Sequence, residues 1–208
     1  MPFLIAGAAG TLIGVAFLDL MPHALKESSN AFVYVIFGIV SFFVLERFIF
    51  WHHCHDGVCD IHTISYLNLV GDGVHNLIDG MVIAAAYLTS IPLGISTTVA
   101  IMFHEIPQEI GDFAILVYGG FDQKKALFYN FLSALMGFVG IAITYLLSSV
   151  EGLFPFLLAF AAGGFIYIAT ADIMPELKKE VEFRKSFIQL ICFISGIVVM
   201  GGIIGLFN

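Results

Sequence analysis

Apolar residues in this chain come in seven long runs separated by short polar breaks, at Phe3–Met21, Phe32–Phe50, Tyr66–Leu88, Ser96–Tyr118, Ala126–Leu147, Phe154–Met174 and Phe187–Phe207. Each is close to the ~20 residues that a helix needs to cross a bilayer. Pro22, Pro92, Pro155 and Pro175 sit at or near run ends, and Gly-rich or charged loops lie between runs. The pattern predicts an all-α, polytopic membrane helix bundle, one transmembrane domain over residues 1–208.

Composition narrows the class further. Of 208 residues, 60% are hydrophobic and 12% charged, about half the charge of a soluble domain. Such a chain cannot cover a globular surface in water, so the lipid bilayer is its solvent. The formal charge of −8 excludes nucleic acid as a partner. Met1-Pro2-Phe3 carries no basic segment, so the first run reads as a span rather than a cleaved leader. Threading seven spans puts Arg47, Lys124, Lys125, Lys178, Lys179, Arg184 and Lys185 on one side and Lys26 alone on the other. The positive-inside rule then sets the N-terminus in the cytoplasm and the C-terminus outside. Residues 51–65 become a cytoplasmic loop.

The first and sixth runs are related. FLIAGAAGTLIGVAFLDLMPHALKE from Phe3 aligns with FLLAFAAGGFIYIATADIMPELKKE from Phe156, with Gly10/Gly163, Asp19/Asp172, Met21/Met174 and Pro22/Pro175 identical. Spans an odd number apart cross in opposite senses, which predicts an inverted repeat of the kind that builds secondary transporters. The sixth span has a neighbour on each side within its half, whereas the first has only a follower. The expected plan is therefore 3+2+3, eight spans of which seven are present, with one more helix expected before Met1.

Chemistry concentrates in the third and fourth runs. In GDGVHNLIDG, Asp72, His75, Asn76 and Asp79 fall at i, i+3, i+4 and i+7 and share a helix face. In HEIPQEIGD, His104 and Gln108 are one turn apart, as are Glu105 and Glu109, and Asp112 follows Gln108 by one turn. Pro107 is expected to kink that helix. No Lys or Arg occurs between Arg47 and Lys124. A carboxylate at a span's centre costs about 2.5 kcal/mol or more, so five of them beside two imidazoles point to bound cations. The zinc-protease spacing fails, because the position for its second His is Gln108 and Pro107 interrupts the turn. No enzyme is expected.

HNLIDG followed by HEIPQEIGD resembles the ZIP (Zrt/Irt-like) family of divalent-metal transporters, in the subgroup whose motifs run HNxxDG and HExPHExGD. The resemblance covers essentially the whole chain and implies the same 3+2+3 plan. It implies a first metal site at His75, Asp79, His104 and Gln108. A second would use Asn76 and Glu105, with Asp79 bridging, and Glu109 matches the subgroup's terminal Glu. Gln108 departs from the subgroup's His, and the following span, with FLSALMGF, lacks the carboxylate some members place there.

Outside the central runs, Asp19 and His23 at one mouth, and Asp172 and Glu176 at the other, are candidate pathway or gate residues together with Asp72 and Asp112. The loop WHHCHDGVCDIH offers His52, His53, Cys54, His55, Cys59 and His62 as chelating groups. The spacing matches no closed zinc fold, and three Cys make no disulfide framework. The expected function is a secondary transporter that moves a divalent metal, zinc foremost and iron, manganese or cadmium as alternatives, toward the cytoplasm. The inward direction comes from the resemblance. The metal is substrate, and no catalytic cofactor is expected. A membrane metal sensor that binds without moving ions is the alternative. A second copy of the chain is carried as a candidate partner, and short loops suggest a prokaryotic plasma membrane.

Overall fold

The computed structural model describes residues 2–51 and 61–207, with the side chains at 48–51, 61–67, 107, 118, 172, 176 and 207 outside that description. Seven helices occupy the described residues: α1 (Pro2–Glu27), α2 (Ala31–Trp51), α3 (Ile61–Thr89), α4 (Ile91–Tyr118), α5 (Gln123–Leu146), α6 (Leu153–Tyr167, continued through Ile168–Ile173 to Leu177) and α7 (Phe183–Phe207). Five of them, α1, α3, α5, α6 and α7, are long and apolar enough to cross a membrane among the described residues. The other two, α2 and α4, have 21 and 28 residues.

Several boundaries differ from the hydropathy reading, each for a local reason. Helix α4 starts at Ile91 rather than near Ser96, because Ser90 caps it by accepting the Leu93 N–H and Pro92 fits the first turn. It then continues unbroken through position 107. The fifth run is two helical pieces, Gln123–Ala134 and Met136–Leu146, that meet at Leu135. Gly120 (φ 88°) and Gly152 (φ 77°) make the left-handed turns before and after α5.

The two copies of the repeated sequence fold alike. Each begins as an α-helix and widens to a π-helical segment, Ala16–Leu20 in one and Ile168–Ile173 in the other. In each, the N–H of the residue before the shared proline reaches back five residues, Met21 to Ala16 and Met174 to Ala169. Proline has no N–H, and its ring crowds the carbonyl four residues earlier. The wide turn absorbs both problems. Pro22 therefore does not end the first span; α1 runs on to Glu27.

Glycine sets how closely these helices pack. A Cβ on Gly10 would lie 2.0 Å from the Phe193 carbonyl oxygen, so α1 and α7 touch backbone to backbone there. Its repeat equivalent, Gly163, does the same for α6 and α2, with the Val35 carbonyl 2.2 Å from the built Cβ. Gly80 and Gly140 serve the α3–α5 contact. Close approach of this kind is how helices associate where lipid removes the hydrophobic drive. Small residues fill the centre: Ala8, Ala9, Ala16, Ala85, Ala86, Ala100, Ala159 and Ala162 are all fully buried. Large apolar side chains face outward, among them Phe32, Ile36, Phe131, Phe138 and Val198, each more than half exposed. That distribution suits a lipid surround.

Candidate metal centre

Helices α3 and α4 run side by side through the middle of the bundle and bring their polar faces together. Asp72, His75, Asn76 and Asp79 are all buried, as the shared face predicts, and His104 meets them from α4. His75 Nε2 lies 3.2 Å from His104 Nε2 and 3.2 Å from Glu105 Oε1. Asp79 Oδ2 lies 3.3 Å from His104 Nε2 and 3.8 Å from His75 Nε2, and His104 Nε2 is 3.4 Å from Glu105 Oε1. All four residues can turn one donor atom each into a single cluster.

These spacings are those of ligands around one ion. A tetrahedral zinc with bonds of about 2.0 Å separates its ligand atoms by about 3.3 Å. The tautomer agrees. His104 Nδ1 sits 3.3 Å from the Ala100 carbonyl, which can only accept, so Nδ1 carries the proton and Nε2 presents its lone pair. Both Asp79 carboxylate oxygens and Glu105 Oε1 are buried with no hydrogen-bond donor. A buried carboxylate oxygen without a donor is satisfied by a proton or by a bound cation. The donor set, two imidazoles and two carboxylates, suits zinc and other borderline divalent ions.

The surrounding wall is apolar. Phe42 of α2 presents its edge to His75 (ring centroids 5.9 Å apart), and Phe165 of α6 does so to His104 (5.6 Å). Phe42 can lie there because Gly164 has no Cβ; one would sit 2.6 Å from the ring.

A second group, Asp72, Glu105 and Glu109, can also turn three oxygens together, so Glu105 is common to both groups. Helix α5 organises it: Ser133 donates to Asp72, and Asn130 donates to the Glu109 side chain and to its backbone carbonyl. Asn76 donates its amide to Asp72 Oδ1 (2.9 Å). Gln108 lines the same cavity as His75 and His104. Among the described imidazoles and carboxylates, Glu105 is the residue that joins His75, Asp79 and His104. The resemblance put Glu105 in a second site; the inter-helix packing that brings it beside both imidazoles is not written in the helical spacing.

The other sequence-predicted residues fall in two places. Asp112 lines the same cavity, of about 530 Å³, which extends from His75 and His104 to Glu46 and Asp112. Asp19 is buried 77 residues away in sequence from Ser96, which donates to its carboxylate, and His23 Nδ1 lies 3.2 Å from its other oxygen. Asp19 and His23 line a separate pocket of about 200 Å³ with Ser90 and Pro92. His52, His53, Cys54, His55 and Cys59 lie outside the described residues, as do the side chains of His62, Asp172 and Glu176. Cys192, on α7, is free and partly buried.

Comparison with known proteins supports the family resemblance. The family model described as ZIP Zinc transporter matches residues 51–204. Zinc transporter ZIP13 of Pongo abelii is 35% identical over 215 residues, covering 95% of this chain and 65% of that protein. Zinc transporter zipt-7.1 of Caenorhabditis briggsae is 31% identical over 274 residues, covering 96% of this chain and 70% of that protein. IAA-alanine resistance protein 1 of Arabidopsis thaliana is 44% identical over 140 residues, 66% of this chain and 30% of that protein. The chain thus spans just under two thirds of the ZIP13 relative's length. These relatives are eukaryotic and lend no support to a prokaryotic source. With an all-helical fold among the described residues, five of its helices long and apolar enough to cross a membrane, and a family match over well over half its length, the chain is an integral membrane protein of the ZIP zinc transporter family, a family of transporters rather than enzymes.

Proposed function

We propose that this chain carries a divalent metal ion, zinc foremost, across the membrane toward the cytoplasm through the centre formed by His75, Asp79, His104 and Glu105. The observation that carries this reading is the set of ligand-to-ligand distances, 3.2 to 3.8 Å, among donor atoms whose carboxylate oxygens lack hydrogen-bond donors. The relatives named as zinc transporters favour zinc as the ion.

The route follows from the cavities. The larger one joins the centre to Glu46 and Asp112, near the helix ends that carry Arg47 and Lys124, which the positive-inside rule assigns to the cytoplasm. The smaller one holds Asp19 and His23 at the other end of α1. Leu12, Val82, Ala86 and Ala100 are fully buried in the apolar core. This is an arrangement open toward the cytoplasm. Transport requires an alternative in which the outer side opens, and we read the paired sequences of α1 and α6 as inverted-repeat elements that exchange those states by rocking.

A sensor would bind the ion equally well but would not move it. Uptake of radioactive zinc into proteoliposomes separates the two. Transport predicts time-dependent accumulation by the wild type and loss of it in Asp79→Ala and His104→Ala at equal incorporation. Binding without accumulation in the wild type would favour the sensor, and near-normal flux in both variants would remove the proposed centre.

A further inference from the structure

Polar residues do not stop at the metal centre. They continue along the seam between α3 and α4 at one-turn intervals, as Asp72 and Asn68 on α3 and Gln108 and Asp112 on α4. All four line the larger cavity together with His75 and His104. The lowest pair is joined directly: Asn68 Nδ2 donates to Asp112 Oδ1 at 2.9 Å. Asp112 Oδ2, by contrast, has no hydrogen-bond partner, although the residue is only 8% exposed. A satisfied structural carboxylate would use both oxygens. Here Asn68 fixes the carboxylate's orientation and leaves one oxygen over. No Lys or Arg occurs between Arg47 and Lys124 to supply a counter-charge from α3 or α4.

We propose that Asp112, oriented by Asn68, is a second ion station, distinct from the metal centre, that takes a hydrated divalent cation in the cavity. Its position is two helical turns from His104, roughly 12 Å along α4. It is oxygen-only, with a carboxylate and amide groups and no imidazole or thiol on that pair. Such a station prefers hard, water-retaining ions and discriminates poorly among divalent metals. Asp112 belongs to neither clustered group found among the described residues, so the ion keeps most of its water shell there, and a cavity of about 530 Å³ has room for one. An ion leaving two imidazoles for solvent then meets a weaker, wetter ligand before the mouth. There Tyr167 donates its hydroxyl to Glu46, and both residues line the same cavity.

The purpose assigned to the station rests on the transport reading, but its existence does not, and the test is one of binding alone. The probe is Mn²⁺, followed by the loss of its free-ion electron paramagnetic resonance signal on titration into the purified full chain. Both ligand groups of the centre contain Glu105, so His104→Ala with Glu105→Gln is the background that disables them. The proposal expects this background still to bind Mn²⁺. Adding Asp112→Asn should weaken that binding at least about tenfold, as loss of a ligand charge does in oxygen sites, while Asp112→Glu should retain it. Loss of all Mn²⁺ binding in the background itself, or equal binding with Asp112, Asn and Glu at this position, would overturn the station. Zinc binding by the wild type against the same background reports on the central site separately.

Discussion

His75 and His104 face each other Nε2 to Nε2 at 3.2 Å across the α3–α4 seam, and the Ala100 carbonyl holds the proton of His104 on the far side of its ring. Two imidazole nitrogens that close repel unless a proton or a metal lies between their lone pairs. The oxygens of Asp79 and Glu105, without donors of their own, complete the set. A cation held between them would satisfy all four groups at once.

Glu105 and Gln108 should respond unequally. Glu105 supplies a carboxylate oxygen 3.2 Å from His75 and 3.4 Å from His104, whereas Gln108 offers only a neutral amide on the cavity wall. We expect Glu105→Gln to weaken zinc binding by at least about tenfold, the lower end of what losing even a ligand's supporting partner costs. Gln108→Ala should cost less. Zinc titration of the purified variants checks this, and a larger loss at Gln108 would put that residue in the centre instead.

Packing makes a separate prediction. At Gly10 a Cβ would meet the Phe193 backbone at 2.0 Å, but at Gly202, on the far part of α7, it would meet nothing within 4 Å. Gly10→Ala should therefore destabilise the bundle by about 1–3 kcal/mol through overpacking. Gly202→Ala should be neutral or slightly stabilising, since alanine favours a helix. Thermal unfolding in detergent, with both variants side by side, reads the difference; equal midpoints would contradict the close α1–α7 contact.

The His- and Cys-rich loop should be dispensable for movement of the ion. All four clustered ligands come from α3 and α4. Replacing His52, His53, Cys54, His55 and Cys59 together is expected to leave zinc flux in place and to change only apparent affinity or regulation. Complete loss of flux with normal membrane insertion would make the loop part of the path.

Much of this was readable from the chain, for identifiable reasons. Asp72, His75, Asn76 and Asp79 announce a buried face because helical period alone aligns them, and burial in apolar surroundings makes four polar groups conspicuous. The repeated Asp-x-Met-Pro around Asp19 and Asp172 was equally plain, but its consequence was not. Pro22 read as an end, yet the π-helical turn before it lets the helix pass. That choice depends on hydrogen bonds several residues away. That Glu105 of α4 comes within reach of both imidazoles was also hidden. Glu105 sits about 100° around the helix from His104, and only the packing of α3 against α4 turns it inward. The proton on His104 Nδ1 has no sequence signal, because every residue one turn earlier offers a carbonyl.

The central claim is the identity of the four ligands, and zinc K-edge X-ray absorption on the purified chain loaded with one equivalent of zinc addresses it most directly. The account predicts four nitrogen or oxygen neighbours at about 2.0–2.1 Å, outer-shell scattering from two imidazoles, and loss of one imidazole in His104→Ala. Sulfur neighbours at about 2.3 Å, or an unchanged spectrum in His104→Ala, would place the ion elsewhere and contradict it.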